Sequence, residues 1–313
     1  MKPRVSIIIP CFNAEAWVGA AIDSVLAQTW PETEVIAIND GSRDASLAEM
    51  RRFEGPRVRV LDQGNLGASA ARNSGLRAAS GEFIQFLDAD DLLAPDKIAT
   101  QMDLLNRSGD RAVATARWGR FEGDPSTAKV SDCAMFQNLS PIDFLLLHTS
   151  DGLMMHPAAW LVPAELARDA GPWNETLSLN DDGEYFCRVV LASRAVVHAP
   201  DSLTLYRSGI PHSLSSRRDP RSLDSLYRSC VLVAARMREA EDSPRVRRAL
   251  ADYFQRLAYV VYPEASGLSR LAQSESRALG GSSLKPSLGR KQALLARWVG
   301  WRLAKRVAAY FSR

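Results

Sequence analysis

At 313 residues, with 46% hydrophobic and 24% charged residues, the chain has the composition of a folded protein with a sizeable core. That excludes a disordered chain or a peptide-sized module. The net charge of +3 conceals an asymmetry: residues 1–216 hold 19 Lys/Arg against 28 Asp/Glu, and residues 217–313 hold 20 against 8.

An acidic body concentrates cations, and a basic tail is drawn to anionic lipid or nucleic acid. Cys11, Cys133, Cys187 and Cys230 lack both zinc-ligand and disulfide-framework spacing, so a reducing, cytoplasmic setting is expected. The N-terminus runs straight into a strand-like segment, with no signal-peptide pattern. No apolar run of about 18 residues follows, so the chain is expected not to span a membrane.

In chain order, residues 5–9, 35–38, 58–61 and 83–87 are short apolar runs rich in β-branched or aromatic residues, the pattern of strands covered on both faces. Helix-length segments at 14–28, 44–53 and 67–79 separate them. The alternation predicts an α/β fold with a mainly parallel sheet and right-handed crossovers. Ligands in such folds collect at the carboxyl ends of strands, where Pro10, Asp40, Asp62 and Asp88 all stand. A helix opened by Pro95 and a fifth strand near 111–118 come next, then an irregular polar stretch over 122–140. Residues 141–148 read as helix, 160–162 as extended, 181–192 as helix and 195–207 as a strand pair.

Beyond residue 217 the texture becomes Arg-rich helices over 223–239 and 244–262, then a Gly/Ser joint at 280–283. In the last segment Val299, Leu303, Val307, Tyr310 and Phe311 share one helical face. Arg297, Arg302, Lys305 and Arg306 lie on the other side with Trp298 and Trp301 among them, the pattern of an interfacial helix. The expected organisation is a domain over 1–216 and a basic helical extension over 217–313. Residues 289–313 would meet an anionic membrane surface or an oligomer partner.

Three local patterns carry chemistry. Asp88, Asp90 and Asp91 place carboxylates at a strand end, where they repel unless a cation sits among them. Hard oxygen donors suit Mg²⁺ or Mn²⁺, which keep positions open for diphosphate oxygens; the plain alternative is an acidic helix N-terminus worth about 1 kcal/mol. Asn39-Asp40-Gly41-Ser42 runs a strand into a glycine turn. A carboxylate there can accept the imide N–H of uracil while Phe12 stacks on the ring, although Asp-Gly-Ser is also simply a good turn. Arg72 sits inside the helix that starts near Gly67, where a guanidinium can contact base or phosphate, or merely decorate an alanine-rich surface.

Four segments, in this order and spacing, resemble family 2 glycosyltransferases over residues 1–210: Val5-Ser-Ile-Ile-Ile-Pro10-Cys-Phe-Asn13, Asn39-Asp40-Gly-Ser42, Asn65-x-Gly67-x5-Asn73-x-Gly75 and Asp88-Ala-Asp90-Asp91. The resemblance implies the GT-A fold, a Rossmann-like, mainly parallel mixed sheet flanked by helices. It implies inverting transfer from a nucleotide diphosphate-sugar, a UDP-sugar, to an acceptor hydroxyl in polysaccharide or glycolipid synthesis. Donor contacts are expected from Pro10, Phe12, Asn13, Asp40, Arg72, Asp88, Ala89, Asp90 and Arg207, with Asp88, Asp90 and His212 holding the metal. Asn39 departs from the family, which commonly has Asp there.

Asn180-Asp181-Asp182-Gly-Glu184 resembles the family's Glu-Asp motif with Asp for the first Glu, which makes Asp182 the expected base. An inverting displacement needs one carboxylate on the acceptor side, with the metal stabilising the departing diphosphate. A glycosidase would need a paired acid and base. His156 and Trp160 are candidates for the acceptor side, with core packing the alternative for Trp160. No GxGxxG follows the first strand and no nucleic-acid recognition motif marks the tail, against a dinucleotide enzyme or a nucleic-acid partner. The expected partners are the donor, a carbohydrate or lipid-linked acceptor, and the inner face of a membrane. The rival reading is an inactive nucleotide-binding scaffold on the same fold.

Overall fold

The computed structural model describes residues 2–109, 111–210 and 216–311. Strands β1 (Val5–Cys11), β2 (Thr33–Asp40), β3 (Val58–Gln63) and β4 (Phe83–Phe86) pair in parallel in the order β3-β2-β1-β4. Successive side chains of a strand point to opposite faces, and the apolar runs divide accordingly. Ile7, Ile9, Val35 and Ala37 pack with Val18, Ile22 and Val25 of α1 (Val18–Leu26), and Met50 of α2 (Ser46–Arg51) joins that layer. Ile8, Ile36 and Ile38 face α3 (Ala68–Ala78) through Ala71. Gly75 is required on that helix, because a Cβ there would lie 2.3 Å from Ile8 Cγ2.

The second half of the sheet is mixed. Strands β5 (Leu92–Leu93), β6 (Ala112–Phe121), β7 (Lys129–Val130), β8 (Trp160–Pro163) and β9 (Ala195–Arg207) extend it in the order β4-β8-β6-β9-β5, with β7 on β6. Only β6 and β9 are parallel there; the other pairings are antiparallel. Residues 195–207 form one strand and not the expected pair. The register steps from Ala116↔Ala199 to Arg117↔Leu203, so 200–202 bulge out. Pro200 explains the step, since it has no N–H for the ladder. The polar stretch 122–140, expected to be irregular throughout, contains β7.

Helices α4 (Lys97–Leu105), α5 (Pro141–Asp151), α6 (Ala164–Ala170) and α7 (Asp181–Ala192) complete the body. Then come α8 (Pro220–Ala240), α9 (Pro244–Val260), α10 (Ser266–Ala278), a helix beyond the two expected there, and α11 (Arg290–Phe311). Asp219 and Ser243 cap α8 and α9, each followed by Pro at the first helical position. Part of the basic texture is taken up at the joint between α8 and α9, where Arg245 pairs with Glu241 and both Arg238 and Arg247 pair with Asp242. One buried cluster runs from Ile8, Ile36 and Ile38 through Trp160 and Phe186 to Leu223, Val233, Leu250, Phe254 and Ala272. The C-terminal helices therefore share a core with the sheet.

α11 turns at Gly300, whose φ is 79°. Trp301 packs edge-on against Tyr259 and Tyr262 at 4.9 and 5.1 Å, Ala304 is buried, and Lys305 Nζ donates to the Tyr259 carbonyl. Trp301 was expected on the polar side and is the anchor. Trp298, Val299, Leu303 and Tyr310 remain exposed. Among the described residues no helix is long and apolar enough to cross a membrane.

Candidate active site

The Asp88–Asp91 turn follows β4 and is fixed by β9. Asp91 is 1% exposed; its Oδ1 accepts the Arg207 backbone N–H at 2.8 Å, and its Oδ2 lies 3.3 Å from His156 Nδ1. Arg207 Nε donates to the Asp90 carbonyl at 2.9 Å, with its guanidinium 4.5 Å from the Phe121 ring centroid. Ala89 is buried behind the turn. Burial and the neighbouring Asp91 and Asp88 charges push the Asp90 carboxyl up to about 7, and burial with the Asp88 charge raises Asp91 well above its ordinary range. Such a turn has more negative charge than its surroundings neutralise. Burial holds His156 neutral, pushing it down to about 4.

Arg72 is 6% exposed and bridges two elements: one terminal nitrogen donates to Asp88 Oδ1 at 2.8 Å and the other to Asp181 Oδ2 at 2.9 Å. Burial opposes its charge, and the two carboxylates outweigh burial and keep it protonated. The guanidinium stacks 4.4 Å from the Trp173 ring centroid, and Ser69 Oγ also donates to Asp181 Oδ2, at 2.8 Å. Two of its donors thus go to protein carboxylates at the crevice, while the buried Nε has no partner among the described residues.

Asp182, the second residue of α7, lies beside this bridge. Its backbone N–H donates to Asp181 Oδ1 at 3.0 Å, and its Oδ1 accepts from Gly183 N at 2.8 Å. Burial first, and the Asp181 charge second, push its carboxyl up to about 6. Asn180 before it adopts a left-handed φ of 61° and donates to Ser229 Oγ at 2.8 Å, while Ser225 Oγ accepts the backbone N–H groups of Ser178 and Leu179. The preceding loop is held from α3. Asn73 accepts the Trp173 N–H and donates to the Trp173 carbonyl and Glu175. Asn73 belongs to a quoted motif, yet its clamping role, like those of Asp181, Ser225 and Ser229, was not read from the sequence.

At the other end of the crevice, Asp40 is 3% exposed and accepts three hydrogen bonds from the chain. Its oxygens accept from Leu66 N, Gly67 N and Gln63 Nε2 at 2.8 to 2.9 Å. Asn39 donates to Asp62 Oδ1 at 2.7 Å. Asn13, at φ 51°, accepts from Arg43 N and donates its backbone N–H to Ser42 Oγ, tying the two strand-end loops together. Gly41 at φ 70° leaves no room for a side chain, since a Cβ would sit 2.6 Å from Asn65 N. Pro10 lies near the end of β1, and Phe12 and Leu66 present exposed side chains on neighbouring loops.

His212 lies outside the described residues. Among the described residues no group of three His, Cys, Asp or Glu side chains is arranged to hold a metal. His148 bonds the Leu153 carbonyl and His198 stacks on Phe136, both structural, and Trp160 is core, stacked on Phe186 at 4.7 Å.

Residues 6–159 match the family described as Glycosyl transferase family 2. An uncharacterized glycosyltransferase of Rickettsia felis is 30% identical over 207 residues, 65% of this chain and 34% of the relative. Glycosyltransferase GlyA of Streptococcus pneumoniae is 30% identical over 220 residues, 65% of this chain and 30% of the relative. The chain spans about a third of the length of the first curated relatives it matches. Among solved structures, S. aureus TarS 1–349 in complex with UDP-GlcNAc superposes with a TM-score of 0.66 at 17% identity, over 88% of this chain and 89% of that one. Mannosyltransferase PcManGT from Pyrobaculum calidifontis, in complex with GDP-Man and Mn²⁺, gives 0.60 at 18% identity, over 99% and 85%. These likenesses show the GT-A fold. Through residues 6–159, which carry β1 to β4 and the Asp88–Asp91 turn, the chain belongs to glycosyl transferase family 2.

Proposed function

We propose that this glycosyltransferase moves a sugar from a UDP-sugar to an acceptor hydroxyl with inversion, in polysaccharide or glycolipid synthesis, using Asp182 as base. The observation that carries the reading is the Arg72 bridge, which joins the acidic turn at Asp88 to Asp181, the neighbour of Asp182. Two solved structures of this fold hold UDP-GlcNAc in one case and GDP-Man with Mn²⁺ in the other.

Asp88 and Asp90 would hold Mn²⁺ or Mg²⁺. The fit rests on the donor set, hard carboxylate oxygens on one turn; burial first, and the Asp91 and Asp88 charges second, raise the Asp90 carboxyl, and a cation would offset the charge part of that shift. When bound, the metal supplies Lewis-acid stabilisation of the departing diphosphate. The chain's own residues do the rest. Phe12 and Leu66 flank the base, and Asp40 fixes the Gly67 turn from which α3 carries Arg72. With a carboxyl at about 6, Asp182 is ionised at neutral pH and still basic enough to accept a proton. It takes the acceptor hydroxyl proton as that oxygen bonds to the anomeric carbon and the bond to the diphosphate oxygen breaks. The exposed Trp298, Val299, Leu303 and Tyr310 beside Arg297, Arg302 and Arg306 support a peripheral, cytoplasmic-leaflet contact for α11.

Calorimetric titration of UDP and GDP into wild type and Asp90→Ala, with and without Mn²⁺, tests the reading. Metal-dependent UDP binding lost in Asp90→Ala is the expected result; absence of binding by either nucleotide would favour the inactive scaffold.

A further inference from the structure

Between β6, β7 and the loop after β7 lies a cavity of about 910 Å³ that none of the donor residues lines. It adjoins the acidic turn. Phe121 in its wall carries the Arg207 guanidinium that grips Asp90, and Ser208, the next residue along, also lines it. Trp118 in the same wall lies 5.6 Å from the His156 ring, which touches Asp91. An occupant of the cavity would therefore end beside the diphosphate turn.

The lining is chemically specific. Trp118, Phe121 and Phe136 offer aromatic faces, and Thr127, Ser131 and Ser208 offer hydroxyls. At roughly the upper end of the 300–1,000 Å³ span of small-molecule sites, the cavity holds more than a single sugar ring. The β6–β7 register sets Arg120 directly opposite Lys129. Like charges placed so destabilise a strand pair, and neither cation is in an ion pair among the described residues. Arg120 is held on the wall by the rings of Trp118 and Tyr206, at 5.5 and 5.4 Å. Glu122 and Asp132 also line the cavity, beyond ion-pair distance of both cations.

We propose that this cavity receives the acceptor, and that the acceptor is a saccharide bearing an anionic group which Arg120 and Lys129 clamp together. The proposal rests on the transferase reading above. The anion is either a uronate carboxylate or a sugar-linked phosphate, both of which suit a cation pair.

The experiment is binding of the full chain to an array of neutral, uronate-bearing and phosphate-bearing oligosaccharides, with wild type, the double variant Arg120→Gln/Lys129→Gln, and Lys129→Gln alone. Binding confined to one anionic class, weakened tenfold or more in the double variant and less in Lys129→Gln, is expected, and the class that binds identifies the anion. Equal binding of neutral saccharides, unchanged binding by both variants, or no binding to the array overturns the proposal. Titration of UDP with Mn²⁺ into the same wild-type sample separates the two levels. Nucleotide binding without saccharide discrimination sinks the acceptor inference alone, whereas no nucleotide binding sinks the reading beneath it.

Discussion

Arg72 and Asp181, 109 residues apart in the chain, meet at 2.9 Å, and the same guanidinium holds Asp88 on the acidic turn. One buried cation thus sets the spacing between the turn proposed to hold donor and metal and the first turn of the helix that carries the proposed base.

Arg72→Ala leaves Asp181 buried without its cation. Removing one partner of a buried pair costs about 3–5 kcal/mol, so denaturant unfolding should show a loss of that order. Arg72→Lys keeps the charge but has no planar fork with which to reach both carboxylates; it should fall between wild type and Arg72→Ala. A change below about 1 kcal/mol in Arg72→Ala would show that the bridge is not a structural hinge of the site.

Asp182 acts as a base only when ionised. Its carboxyl is raised to about 6, so kcat/KM should be level at pH 7 to 8 and fall about tenfold per pH unit below 6. Asp182→Asn should lower kcat by roughly 10²–10⁴-fold with UDP affinity retained. A pH profile flat to pH 5, or an active Asp182→Asn, would move the base elsewhere.

Lys97 is fully buried, donating to the Gln85 side chain and the Trp160 carbonyl, and burial lowers its pKa well below that of a free lysine. The unfolded chain keeps this amine protonated up to about 10.4, so between the folded and unfolded values the unfolded state binds more protons. Stability should therefore rise with pH across that window, and the penalty is largest below the folded value. Urea unfolding at pH 6 to 9 should show the slope in wild type and a smaller one in Lys97→Met.

The C-terminal helices split into two parts with different roles. Leu223, Val233, Leu250 and Phe254 belong to the central core, and Ser225 and Ser229 hold the loop before Asp181. A chain ended at residue 216 should fail to give a cooperative melt. Deleting 281–313 should leave folding intact and reduce partitioning onto anionic vesicles; unchanged partitioning removes the membrane role of α11.

Much was legible in the sequence because it is local. The strand runs, their helical spacers and the four spaced motifs depend on period and neighbouring residues, and they led to an α/β sheet of the GT-A kind and to the turn at Asp88. The tail's basic texture was legible as charge, whereas the packing of its apolar positions into the body's own core was not. Tertiary structure alone decided the rest. Asp40 accepts from amides 26 and 27 residues away, and Arg72 spends two of its donors on carboxylates 16 and 109 residues away. A charged side chain takes whichever partner the fold brings within about 3 Å when both are buried. Periodicity along the chain does not encode that choice.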